Sequence, residues 1–234
     1  MTWLRSAAFN LWFYGLTTVL AIASLGLRLF APRHAMGYAR AWVRLVLAGL
    51  RPLCGITWTV SGLEHLPASG AALIASMHQS TFDTLIWTQL APRFAFVLKR
   101  ELLRIPLFGP MLTLAGMIAV DRRAGPAAVR ALLREADRAM GEQRQIVIFP
   151  EGTRAAPGTV LRLQPGVAAL AARTGLPVIP VATDSGLHWG RHAFRKRPGV
   201  IRIVILPPIP PGLPREVLME RLRQTLTQAA ASLG

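Results

Sequence analysis

The sequence predicts an α/β protein with a mixed central sheet, helices on both of its faces, and a two-helix membrane-associating segment at the N-terminus. Three observations predict it. From residue 71 onward, short apolar, β-branched runs alternate with segments of helical periodicity, the pattern of a sheet covered on both sides. Prolines and glycines punctuate the junctions between them. Ahead of this alternation lies Ser6–Leu27, a stretch without a single charged residue. With 234 residues, no internal repeat and no long linker, the chain divides into an N-terminal segment 1–55 and one domain 56–234.

Taken in order, Ser6–Leu27 makes a helix of about 22 residues and roughly 33 Å, enough to span a bilayer. Trp3, Trp12, Phe13 and Tyr14 suit a membrane interface. Ala21-Ile-Ala23 has the look of a signal-peptide cleavage site. Against cleavage, Arg28, Arg33, Arg40, Arg44 and Arg51 follow the apolar run and only Arg5 precedes it. That bias predicts an uncleaved anchor in the cytoplasmic (inner) membrane, with the following domain facing the cytoplasm. Removing residues 1–30 should then loosen attachment rather than disable the chemistry. A second apolar helix, 36–50, is interrupted by Arg40 and Arg44 and suits an interface, where arginines snorkel.

Strands are expected near 71–76, 94–98, 117–120, 145–149, 178–182 and 200–206, and helices near 83–90, 126–140, 166–174 and 215–232. Pro126 suits a first helical turn. Leu218, Leu222 and Leu226 recur on one face of the last helix. Taken alone, the proline-bracketed Leu176–Ala182 reads as an edge strand. Pro207-Pro208 and Pro210-Pro211 form a stiff connector.

Charge narrows the class of partner. The chain carries 27 basic and 11 acidic residues, a net +16, and its only lysines are Lys99 and Lys196. Such a balance suits an anionic lipid surface or an acidic carrier. Nucleic acid is disfavoured, because no zinc-ligand spacing, helix-turn-helix or base-stacking aromatic strand is present. The single Cys54 excludes an intramolecular disulfide, and its apolar context points to packing.

Four segments carry chemistry. In His78-Gln-Ser-Thr-Phe-Asp83 a base and a carboxylate are close in sequence, with His78 on the loop leaving a strand and Asp83 in the first turn of the next helix. A neutral imidazole takes a proton near pH 7, and a carboxylate fixes its tautomer and stabilises the imidazolium. In Phe149-Pro-Glu-Gly-Thr-Arg154, Pro150 ends a strand, Gly152 permits close backbone approach, and Arg154 offers a fork of donors suited to phosphate. Gly116–Arg122 delivers Asp121 and Arg122 at a strand end, where α/β sheets bind ligands. Leu176–Ala182 is the fourth segment.

Together and in this order, a His-x4-Asp block, a Gly-x-Ile-x-x-Asp-Arg block, a Phe-Pro-Glu-Gly-Thr-Arg block and a Val-x-Pro-Val block resemble the glycerolipid acyltransferase family. The likeness extends to Lys99–Pro106 and Asp184–Gly190 and covers roughly residues 60–210. It implies acyl transfer from a thioester, carried by acyl-CoA or acyl-carrier protein, to the free sn-2 hydroxyl of 1-acyl-glycerol-3-phosphate. His78 would be the base and Asp83 its partner. The resemblance also implies that Glu151, Gly152 and Thr153 place the acceptor, and that Arg122, Arg154 and Lys99 hold its phosphate. No metal or organic cofactor is expected. One departure stands out: many members carry a Lys shortly before the glycine matched by Gly166, where this chain has Gln164. It keeps another lysolipid acceptor, such as a lyso-ornithine lipid, open as an alternative. A non-catalytic basic membrane adaptor would have no need of the His78–Asp83 pair.

Overall fold

The computed structural model describes residues 2–233. Its strands are β1 Ile56–Ser61, β2 Ala72–Ser76, β3 Phe94–Lys99, β4 Ile118–Val120, β5 Gln145–Ile148, β6 Val178–Thr183 and β7 Gly199–Ile205. Its helices are α1 Thr2–Phe30, α2 Ala35–Gly49, α3 Thr81–Leu90, α4 Phe108–Leu114, α5 Pro126–Gly141, α6 Gly166–Thr174, α7 Ser185–His188 and α8 Arg215–Leu233. The strands form one sheet in the order β1-β7-β6-β2-β5-β3-β4. From β6 to β4 all neighbours are parallel; β7 runs antiparallel to β6 and carries β1 parallel to itself.

Period-two alternation assigns each strand residue to one of two cores. Leu73, Ala75, Ile146 and Ile148 face the layer of α5, α6 and α8, where Leu132, Leu170, Leu218, Leu222 and Leu226 are buried. Ala72, Ile74 and Val147 face the opposite layer, with Phe82 and Leu85 of α3, Val43 and Leu47 of α2, and Phe9 of α1.

The structure corrects the sequence reading in two respects. First, β1, α4 and α7 were not expected; β1 lies at the sheet edge, where Ile56 is buried and the rest is intermediate or exposed, so its burial signal is weak. Second, β6 is an interior strand rather than an edge. Pro180 is tolerated there because the antiparallel ladder with β7 covers Val181–Thr183, and pairing resumes only at the Val178–Ile209 bridge. Pro180 falls in the gap, where its carbonyl still accepts from the Leu206 amide at 2.9 Å.

The far end of the sheet is held by a buried guanidinium. Arg144, 4 % exposed, donates to the Gly116 carbonyl at 2.8 Å, to Ala115 at 2.7 Å and to Phe94 at 2.5 Å. Gly116 has φ of +70°, and a Cβ there would sit 2.0 Å from Arg144 Nη1. Gly116→Ala is therefore expected to lose about 1–3 kcal/mol through the left-handed backbone alone, and more through the displaced charge. Chemical unfolding monitored by tryptophan fluorescence measures it.

Helix α1 is docked rather than free-standing. Phe9 is completely buried and meets the Trp189 ring edge-on at 5.2 Å. Ser6 Oγ accepts from the Lys196 amide at 2.9 Å, and Asn10 Oδ1 from the Lys196 ammonium at 2.5 Å. Trp12 donates to the Leu45 carbonyl at 3.1 Å, and Tyr38 of α2 to that of Leu20 at 2.6 Å. The outer face, with Leu4, Leu11, Val19, Ile22, Leu29 and Phe30, is exposed. Among the described residues α1 alone is long and apolar enough to cross a membrane.

Candidate active site

The sheet order sets the site. Parallel β2, β5, β3 and β4 are neighbours, so their C-terminal ends share one edge. That edge carries His78 after β2, the Phe149–Arg154 loop after β5, Lys99 at the end of β3, and Asp121 and Arg122 after β4.

His78 lies on the loop before α3, and Asp83 is in the helix's first turn. Ser80 is the N-cap: its hydroxyl accepts from the Phe82 amide at 3.0 Å, and Asp83 reaches back to the Ser80 amide at 2.7 Å. This capping box starts α3 at Thr81, two residues earlier than expected. Asp83 Oδ2 accepts from the amides of Gln79 and Ser80, both at 2.7 Å, and from His78 Nδ1 at 3.2 Å. Its Oδ1 accepts from the Ser185 hydroxyl at 2.5 Å. Four donors surround a carboxylate that is only 2 % exposed. His78 remains 14 % exposed at the rim. Its ring stacks on Phe149, centroids 4.3 Å apart, which limits rotation.

Glu151 is buried, and both its oxygens are occupied: Oε2 by the His78 amide at 2.9 Å, Oε1 by the Leu161 amide at 3.1 Å. In this geometry the carboxylate ties the His78 loop to the β5 loop. Burial raises its pKa, with Asp83 adding to the rise and the two amides opposing it. Gly152 has φ of +71°, and an added Cβ would come within 3.0 Å of Arg122 Nη1 and 3.2 Å of Gln164 Cγ. The left-handed backbone favours glycine, and an added side chain would crowd Arg122, which lies across the loop and donates to the Gly152 carbonyl. Thr153 and Lys99 are exposed at the margin, and Gln164 is exposed beside Gly152.

Arg154 lies on the α1 side. Partial desolvation lowers its pKa, while the charge of Asp83 opposes that and Arg191 reinforces it. With Thr81, His192, Trp189, Lys196 and Tyr14 it lines an open cavity of about 730 Å³ between the dyad loop and α1. The structure thus gathers His78, Asp83, Glu151 and Arg154 at one centre and joins Arg122 to Gly152 beside it. Phe149 and Ser185 are the working contacts that the sequence reading left without a role. The Ser80–Asp83 spacing was a readable capping signal. Ser185 is 102 positions from Asp83, and nothing local marks it.

The acyltransferase family model matches residues 57–184. A 1-acyl-sn-glycerol-3-phosphate acyltransferase of Pseudomonas aeruginosa is 38% identical over 166 residues, 71% of this chain and 64% of that protein. One from Limnanthes alba is 37% identical, covering 67% of this chain and 56% of that protein. The matched region thus spans less than two thirds of either relative. The human alpha enzyme of that name is 30% identical over 95% of this chain and 78% of its own. The crystal structure of the 1-acyl-sn-glycerophosphate (LPA) acyltransferase, PlsC, from Thermotoga maritima superposes with a TM-score of 0.79 at 25% identity, covering 100% of this chain and 98% of that one.

Proposed function

This chain belongs to the acyltransferase family, and from that premise we propose that it moves a fatty acyl group from an acyl thioester to the free sn-2 hydroxyl of a 1-acyl-glycerol-3-phosphate, yielding phosphatidic acid. One observation carries the reading: Asp83 holds His78 through Nδ1, which leaves Nε2 for the acceptor. Nε2 takes the hydroxyl proton as the oxygen attacks the thioester carbonyl. The C–O bond forms, the C–S bond breaks, and the departing thiolate recovers the proton from the imidazolium. Asp83 stabilises that imidazolium. Acyl-CoA and acyl-carrier protein present the same thioester, and either serves as donor in this scheme.

The guanidinium of Arg154, half-buried near the dyad, is the reading's anchor for the acceptor phosphate. Arg154→Ala should weaken use of a phosphate-bearing acceptor by about 1.5–3 kcal/mol, roughly 10- to 150-fold in kcat/KM, with the donor's KM little changed. Steady-state kinetics with each substrate varied in turn checks this. A rise confined to the donor's KM would assign the arginine to the carrier or coenzyme phosphates instead.

The bare outer face of α1 supports membrane attachment, and Arg28, Arg33, Arg40, Arg44 and Arg51 after the apolar run favour the cytoplasmic side of the inner membrane for the catalytic domain. Packing of Ser6, Phe9 and Asn10 against the domain favours an uncleaved helix lying against the protein over a signal peptide. A second reading rests on Gln164, which stands uncharged beside Arg122 and Gly152. It favours an acceptor other than the phosphate-bearing lysolipid. Purified protein assayed with a panel of lysolipids against both donors separates the two. Turnover of 1-acyl-glycerol-3-phosphate supports the first; turnover of lyso-ornithine lipid alone supports the second.

A further inference from the structure

We infer that Ser185 is a positioning residue for acyl transfer: its hydroxyl holds Oδ1 of Asp83 and so steadies the carboxylate that presents Oδ2 to His78. The inference rests on the base role of His78 stated above.

The two oxygens of Asp83 are unequally supplied. Oδ2 accepts from two backbone amides at 2.7 Å and from His78 at 3.2 Å. Among the described residues Oδ1 has one donor, the Ser185 hydroxyl, at 2.5 Å. The imidazole is the longest of the three contacts on Oδ2, so it is the one most easily lost if the carboxylate turns. Rotation about the bond joining the carboxylate to the side chain is soft, because such sp³–sp² torsions have broad wells. The backbone amides hold Oδ2 whatever His78 does. The amides restrain the carboxylate plane from one oxygen and the Ser185 hydroxyl restrains it from the other, and the two together set the angle at which the imidazole is met.

Ser185 is built to hold that place. Both it and Asp83 are buried, so no solvent competes for the bond. Its amide donates to Thr183 Oγ1 at 3.1 Å, and the next amide, Gly186, donates to Gln79 Oε1 at 3.1 Å. The start of α7 is thereby tied to β6 on one side and to the dyad loop on the other. The neighbouring acid is engaged elsewhere: Asp184 accepts from the Arg202 amide at 2.7 Å and from Arg202 Nε at 2.6 Å. Asp184 therefore does not draw the Ser185 hydroxyl away. The titratable and charged groups around Asp83 are His78, Arg154 and Glu151. Among the described residues, neither Arg154 nor Glu151 makes a hydrogen bond to Oδ1.

Two substitutions test the role in the full-length protein. Ser185→Ala removes the donor, and kcat should fall about 10- to 100-fold with both KM values within about twofold. Ser185→Cys has the same shape with a somewhat larger atom and donates weakly, so kcat should stay clearly below the parent, between it and Ser185→Ala. If Ser185 served packing alone, cysteine would restore the parent rate. Should Ser185→Ala fail to fold, Ser185→Cys decides alone. Parent kcat in a folded Ser185→Ala protein, or full recovery in Ser185→Cys, overturns the inference. His78→Ala is assayed alongside: substantial turnover there refutes the base role itself. An inert His78→Ala protein with Ser185→Ala at the parent rate refutes Ser185 only.

Discussion

Replacing His78 with Ala is expected to lower kcat by on the order of 10²–10⁴ and to leave the fold intact. The loss is kinetic because the imidazole sits at the rim, while the loop around it is held by other groups. The His78 amide keeps its bond to Glu151, its carbonyl still accepts from the Ala155 amide at 2.7 Å, and the capping box at Ser80 is untouched. Asp83→Asn should be nearly as severe for a different reason. An asparagine keeps the shape and can still serve the amides of Gln79 and Ser80 through its oxygen, with its NH₂ turned to Ser185. A hydroxyl can accept as well as donate, so the buried site tolerates the change. What disappears is the negative charge that stabilises the imidazolium. Purified proteins compared by pre-steady-state and steady-state turnover, with thermal melts as a folding control, make the test. Near-parent activity in His78→Ala ends the mechanism.

The second large effect is expected at α1. Phe9→Ala should destabilise the protein by about 3–5 kcal/mol, the usual loss for a fully buried aromatic. Here the structure changes the expectation formed from sequence. An appendage that merely holds the domain at a bilayer could be removed with little harm to chemistry in detergent. In the structure, removing residues 1–30 strips Phe9 from the core it shares with Trp189, and Asn10 from the buried ammonium of Lys196. Burial lowers the pKa of that lysine, and its other contacts are the carbonyls of Ala193 and Phe194 and the faces of Phe9 and Trp189. The truncated protein should therefore lose activity on detergent-dispersed lipid as well as on bilayers, and unfold at lower urea. Full-length protein should stay with the membrane fraction through high salt, since ions do not screen apolar burial. Quantitative recovery in the soluble fraction would exclude α1 as an anchor.

By itself the sequence determined much of this protein. Apolar, β-branched runs located β2 through β7 within a residue or two, because burial between two helical layers demands them. The helical repeat of Leu218, Leu222 and Leu226 located α8. Residue chemistry singled out His78 and Asp83, and the structure places their side chains in contact. The tertiary structure decided what depends on partners distant in the chain. It put β6 inside the sheet despite Pro180, since only the pairing pattern shows that its missing donor faces a gap. It turned Glu151 inward onto two amides, gave Oδ1 of Asp83 to Ser185, and made α1 part of the core through Phe9 and Lys196. Periodicity and motif spacing report what a residue needs from its immediate neighbours along the chain. A hydrogen bond spanning 102 positions, or one spanning 186, exists only after the sheet has brought its ends together.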